Sequence, residues 1–264
     1  MKKYLLTILT LFLFISPSFA YLPDSPFLLE LVTEKLGKPD RIEVYQNLEI
    51  FDDTFDNGFM VFKQNLKYNI ANRFRSVTKS KEKTRIHIYS KGSALTILDS
   101  LIISEEESKI DYYKDILLIR DSSQLFKRLK KIGIDMLVSS LGQFKNRLSY
   151  IIGAANNDFS ASQLWVDKES LMPSRLIIVN ESNKLEIHYN EWKRLRKTWY
   201  PRRIDFYEND ILTRIIRVDK IALNPKFKKN IFDIEYLKQI YVKEKIDIKD
   251  DDVKNAIDKF DKRF

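Results

Sequence analysis

Two histidines, His87 in RIHIYS and His188 in EIHYN, are the imidazoles of this 264-residue chain. They are where a catalytic reading must start, because imidazole titrates near neutrality. A hydrolase needs a nucleophile with a base in reach. Each histidine instead alternates with isoleucine: Ile86 and Ile88 flank His87, and Ile187 precedes His188. In a strand this turns the isoleucines one way and the histidine the other. Both histidines are therefore expected on the more polar face of their strands, as structural residues, and the chain is expected not to be an enzyme. A zinc site would want three or four His, Cys or carboxylate ligands in close register. There is no cysteine, and the acidic run Asp250 to Asp252 lies in a charged tail. The six glycines are scattered singly, which removes Gly-rich phosphate loops. No catalytic residue, metal or cofactor is expected.

The charged residues offer binding chemistry instead. Lys and Arg number 46 against 37 Asp and Glu, a formal charge of +9. One basic stretch runs through Arg73, Arg75, Lys79, Lys81, Lys83 and Arg85, and another through Lys193, Arg194, Arg196 and Lys197. Nucleic acid is not an expected partner of an exported protein. That leaves a solvated surface on one hand, and transient attraction to anionic headgroups or an acidic partner on the other.

Export is read from the N-terminus. Lys2 and Lys3 precede the apolar run Tyr4 to Ile15, and Ser18 and Ala20 form a small-x-small site, the order of a secretory signal peptide cleaved before Tyr21. Twelve helical residues reach only about 18 Å against a hydrocarbon core of about 30 Å. An uncleaved anchor is the alternative. With no cysteine to accept a lipid, the expected product is a free, non-lipidated protein of the periplasm. Its stability must come from a packed core, because no disulfide is available.

The elements that position these residues follow from periodicity. Ser25, Pro26 and Gly37 bound a first helix with Phe27, Leu28, Leu31 and Leu36 on its apolar side. From Arg41 the period becomes two, and the runs on either side of Asp56-Asn57-Gly58 read as a hairpin. Strand-like runs follow to Arg120, including DILLIR. A second helix is expected over Ser122 to Gly142, its stripe of Leu125, Phe126, Leu129, Ile132, Met136, Leu137 and Leu141 lying opposite Lys127, Arg128, Lys130 and Lys131. Five more strands then run to Leu223, one hairpin turning at Glu208 to Asp210. Residues 243–264 are charged and apolar-poor, and read as a solvated helix or a disordered tail. Short connections imply antiparallel neighbours, so the expected class is α+β: one large, strongly curved antiparallel sheet with two or three helices. Several strands are bulky on both faces, so both must be covered. An internal apolar cavity and an ordinary dry core both satisfy that pattern.

The stretch SQLWVDKESLMPSRLIIVN resembles the LolA-like periplasmic lipoprotein carriers and outer-membrane lipoprotein-sorting proteins. The matching residues are Leu164, Trp165, Val166 and Asp167, then Leu171, Pro173, Arg175 and Leu176. Tyr200-Pro201, the turn after Tyr207, Asn224-Pro225 and NIFDI continue the likeness to Ile234. The resemblance implies an open half-barrel over residues 21–242, with helices covering the concave face of the sheet and enclosing a hydrophobic cavity. It implies carriage of lipoprotein acyl chains, or another lipid, between an inner-membrane donor and an outer-membrane acceptor protein. Trp165 would then pack the curved sheet, and Pro173 would fix the re-entry of its strand. The residues assigned to acyl contact are Phe62, Leu95 and Ile97 on strands and Phe126, Leu129, Ile132 and Met136 on the second helix. A non-enzymatic envelope sensor or adaptor on the same fold is the rival function.

Overall fold

The structure is a computed structural model that describes residues 22–241, apart from 56, 70, 71, 81, 82, 108, 181 and 182. The expected leader, residues 1–20, and the expected tail, residues 243–264, lie outside the described residues.

The first six strands are β1 Arg41–Phe51, β2 Phe59–Asn69, β3 Arg73–Lys79, β4 Thr84–Ser90, β5 Ser93–Leu98 and β6 Leu101–Ser104. Seven more follow: β7 Ser139–Phe144, β8 Arg147–Ile152, β9 Gln163–Asp167, β10 Pro173–Val179, β11 Lys184–Leu195, β12 Thr198–Glu208 and β13 Ile211–Leu223. All form one 13-stranded antiparallel sheet in the order β6-β5-β4-β3-β2-β1-β13-β12-β11-β10-β9-β8-β7. Two meanders are thus joined where β1 pairs with β13, Ile42 opposite Leu223. The sheet is curved and not closed, so β6 and β7 remain as edges. This is the α+β half-barrel expected from the sequence.

Period-two patterning decides the faces. Along β1, Ile42, Val44, Gln46, Leu48 and Ile50 are buried, and their cross-strand partners Tyr68, Leu66, Gln64 and Phe62 are buried with them. This inner face carries the main core. It is covered by α1 Ser25–Leu36, α2 Tyr113–Leu118 and α3 Ser122–Lys131. Asp24 caps α1 by accepting from the Phe27 amide at 2.9 Å, one residue before the Ser25 cap expected. Leu28, Leu29, Val32 and Leu36 are buried, whereas Phe27 is exposed. Gly37 ends α1 at φ +81, and a Cβ there would lie 2.1 Å from the Lys197 carbonyl oxygen. Only glycine permits that close approach of α1 to the β11–β12 turn.

The hairpin read around Asp56-Asn57-Gly58 is present: β1 and β2 pair antiparallel, with Phe51 opposite Phe59. Two expectations are corrected. DILLIR is not a strand: its first four residues lie in α2, where Ile116, Leu117 and Leu118 are buried on all sides. A short apolar run buried all round has no period to distinguish the two states.

The second helix does not run to Gly142. It stops at Lys131, Ile132 is its C-cap, and Gly133 takes φ +92, a left-handed conformation that glycine adopts at no steric cost. Residues 132–138 form a turn and 139–144 form β7. Met136 is buried in that turn while Leu137 is 94% exposed, so the stripe extrapolated past Gly133 does not exist as one face.

A short helix not anticipated, α4 Ile234–Ile240, follows β13. Ile234 and Leu237 pack on Ile86, Ile88, Leu95, Ile97 and Ile102, on the outer face of the sheet. Among the described residues no helix is long and apolar enough to cross a membrane.

Candidate functional site

The inner face, with the three helices over it, is the candidate site. Of the residues assigned to acyl contact, Phe62 of β2, Leu129 of α3 and Met136 enter its core, and Phe126 and Ile132 pack half-buried against it. Leu95 and Ile97 do not join them. They pair with Ile88 and Ile86 and point to the outer face beneath α4. The inward residue between them is Thr96, whose hydroxyl lies 2.8 Å from His87 Nδ1. The alternation that turned Ile86 and Ile88 away from His87 would have placed Leu95 and Ile97 on their side, had the β4–β5 pairing been used.

What the sequence reading missed is the polarity of this interior. A chain of amides crosses the sheet: Gln46 Nε2 donates to Gln64 Oε1 at 2.5 Å and Gln64 Nε2 to Thr78 at 2.9 Å. Gln46 also reaches the Tyr113 hydroxyl at 3.2 Å, and Tyr189 donates to the Tyr113 carbonyl at 3.0 Å. His87 is completely buried, its Nε2 3.9 Å from Asp111 Oδ2. Burial pushes its pKa down to about 4, against the pull of Asp111. His87 therefore stays neutral at pH 7.

Above this layer, Arg128 ties α3 to its surroundings. Its Nε donates to Asp115 of α2 at 2.6 Å and its Nη1 to Glu107 at 3.0 Å, with a second bond from Nη2 to Glu107. Burial alone would lower the Arg128 pKa, but the two carboxylates outweigh it and hold the guanidinium charged. Asp121 caps α3 by accepting from the Gln124 amide at 2.8 Å.

Between α2 and α3 lies Arg120. It is 2% exposed, and none of its three guanidinium nitrogens has a hydrogen-bond partner among the described residues. Burial lowers its pKa to about 10, with the hydroxyls of Tyr68 and Tyr200 as its electrostatic neighbours. The Tyr200 hydroxyl is likewise without a hydrogen-bond partner among the described residues, and burial raises its pKa. A cation that stays charged at neutral pH is thus enclosed under the helices, with no ion-pair partner among the described residues.

The second histidine belongs to the outer face. His188 pairs with Glu186, which also accepts from Arg175 at 2.6 Å. Burial would raise the Glu186 pKa, but His188 and Arg175 hold it down to about 2. The Arg175 guanidinium lies over Phe144, Phe159 and Trp165, 4.9–5.3 Å from each ring. Asp167 accepts from the Ser170 amide at 2.7 Å and pairs with Arg147 at 2.8 Å. The Trp-Val-Asp and Pro-x-Arg residues singled out in sequence are thus the packing and turn chemistry of β9–β10, with Trp165 on the outer face. No group of three metal-ligating side chains occurs among the described residues.

No family model matches the chain, and no curated protein matches it. Solved structures do. A LolA superfamily protein from Nitrosomonas europaea superposes with a TM-score of 0.58 at 11% identity, over 81% of this chain and 99% of its own. A domain from Vibrio parahaemolyticus described as outer membrane lipoprotein-sorting gives 0.54 at 9% identity, over 80% and 97%. A DUF1329 family protein from Desulfovibrio piger gives 0.54 at 9% identity, over 82% and 100%. The fold is LolA-like.

Proposed function

We propose that this chain is a non-enzymatic carrier or chaperone of the periplasm. It shelters acyl chains of lipoproteins, or of another lipid, between the inner face of its sheet and helices α1–α3. It passes them from an inner-membrane donor to an outer-membrane acceptor protein. The observation that carries this reading is the unmet polarity beneath the helices, with Arg120 at its centre and Tyr200 beside it. A buried polar group without a partner costs about 1–3 kcal/mol, and more when charged. The helix layer is therefore held to the sheet less firmly than a dry core of the same size would hold it. Moving the layer away hydrates Arg120 and uncovers Phe62, Leu66, Leu129 and Met136, an apolar lining for an acyl chain. Each methylene taken from water onto such a lining contributes about 0.8 kcal/mol. Cargo leaves by the reverse movement, with no bond made or broken. The fold shared with a domain described as lipoprotein-sorting supports the reading.

The test is to purify the protein from the cell envelope without detergent, extract it with solvent and identify what is released by mass spectrometry. Acyl lipid or lipoprotein is expected, on a chain whose intact mass begins at Tyr21. A repeatedly empty protein that also fails to bind a fluorescent fatty acid would overturn the carrier reading in favour of a sensor or adaptor.

A further inference from the structure

Antiparallel order assigns every turn to one of two ends of the sheet. Strands β1, β3, β5, β8, β10 and β12 start at the end where Arg41 lies, and their neighbours finish there. Among the described residues, the connections at that end carry Lys38, Lys91, Lys145, Lys168, Arg196, Lys197, Lys226, Lys228 and Lys229, all exposed, against Asp40, Glu105, Glu106, Glu107, Glu169 and Asp233. The opposite end carries Asp52, Asp53, Asp99, Asp158 and Asp210 against Lys83, with Asp210 met by Lys184 at 2.6 Å. The net charge of the chain is thus not spread evenly: one end is basic and the other acidic.

The two ends act separately. β1 has 11 residues and β13 has 13, which at about 3.3 Å per residue sets the ends about 35 Å apart. The screening length at physiological ionic strength is about 8 Å, so the acidic end does not cancel the pull of the basic one on a charged surface.

The basic end also bears clefts. One cleft of about 450 Å³ is lined by Lys35, Lys145 and Arg147 together with Trp192 and Trp199. Others of about 550 and 680 Å³ are lined by Arg73, Lys91 and Lys228, and by Lys38, Arg196 and Lys197. Trp192 and Trp199 are half-buried on either side of the β11–β12 turn, beside the exposed Lys193 and Arg194. Indole rings interleaved with basic residues are the composition that settles at the headgroup level of a bilayer. The basic residues are spread over several separate turns of that end, away from the acidic β6 edge where Glu105 and Glu107 pair with Lys238 and Arg128, rather than gathered in one fork. That suits a plane of diffuse negative charge better than a discrete acidic protein.

We infer that the basic end docks on an anionic lipid membrane, with the strands standing up from the surface and the acidic end held away. Docking of this kind goes beyond acyl carriage, because it needs no cargo. The test is co-sedimentation of the full chain with phosphatidylcholine vesicles, with and without phosphatidylglycerol, at low and high salt. Binding is expected only to the anionic vesicles and should weaken as salt rises. A basic residue near such a surface contributes roughly five-fold in affinity. Replacing four together (Lys193→Gln, Arg194→Gln, Arg196→Gln and Lys197→Gln) should cost on the order of several hundred-fold while leaving the melting temperature and fatty-acid affinity unchanged. Asp53→Asn with Asp99→Asn at the other end should leave vesicle binding unaltered. Equal binding to neutral and anionic vesicles, no binding to either, or undiminished binding by the four-fold variant would overturn the inference. Loss of fatty-acid binding with vesicle binding retained would instead overturn the carrier reading.

Discussion

Arg120→Met should make the protein more stable, although it removes a completely buried side chain. In the closed structure the guanidinium gives up its hydration and gains no hydrogen bond among the described residues. Its pKa falls to about 10 under burial, a drop that corresponds to a charge-burial penalty of about 3 kcal/mol. Methionine keeps most of the aliphatic length and carries no charge, so the variant should recover about 2–3 kcal/mol. For a domain of this size that is a rise in melting temperature of about 4–12 °C. Equilibrium urea unfolding should show a higher midpoint at unchanged slope. Arg120→Lys, which keeps a buried cation, should show no gain. The sign of the pH dependence follows from the lowered pKa. Below about pH 10 the arginine is charged both folded and unfolded, so the full penalty applies. As pH rises through 10 the unfolded state binds more protons, the wild type gains stability, and its gap to the methionine variant narrows. An Arg120→Met protein destabilised by more than about 1 kcal/mol would refute the reasoning, since the arginine would then have an unrecognised partner or an indispensable packing role.

Arg128→Met leaves Asp115 and Glu107 without their main partner and should cost about 3 kcal/mol. Hydrogen exchange should show the loss in Ser122–Lys131 before it appears in the central strands. His87, held neutral with its pKa near 4, predicts acid sensitivity. The unfolded state binds more protons between about pH 6.5 and 4, so stability is full above that window and is lost on the order of 3 kcal/mol across it. His87→Asn should flatten that part of a stability-versus-pH curve. Gly37→Ala forces a Cβ onto the Lys197 carbonyl at positive φ and should lower the melting temperature by at least 5 °C, a loss of about 2 kcal/mol or more.

Most of the frame is legible in the sequence. The alternation from Arg41 onward, the β12–β13 turn and the glycine that ends α1 each depend on neighbours close in the chain, where local chemistry decides. The α3 boundary was misread because Ile132, Met136 and Leu141 keep a helical spacing past Gly133. The Ile132 cap and Gly133 at φ +92 end the helix there. Leu95 and Ile97 were misplaced for a different reason: apolarity alone does not tell inner from outer face, whereas register against His87 does. The polar interior was the least legible part. Gln46, Gln64, Ser76 and Thr96 look like solvent-facing positions of ordinary strands until cross-strand pairing and the cover of α1–α3 bury them. Arg120, at the end of an apolar run, gave no sign of enclosure. The polarity of the two ends was present in the turn residues, but only the strand order shows that alternate turns share an end.

The claim that acyl chains are sheltered on the inner face is tested most directly by the chain-length dependence of fatty-acid affinity. Saturated fatty acids of increasing length are titrated into the lipid-free protein by calorimetry. If the chain is drawn between sheet and helices, each added methylene should tighten binding by about 0.8 kcal/mol, close to four-fold, until the lining is filled. Affinity that does not change with chain length would contradict the account, since the protein would then be recognising the carboxylate alone.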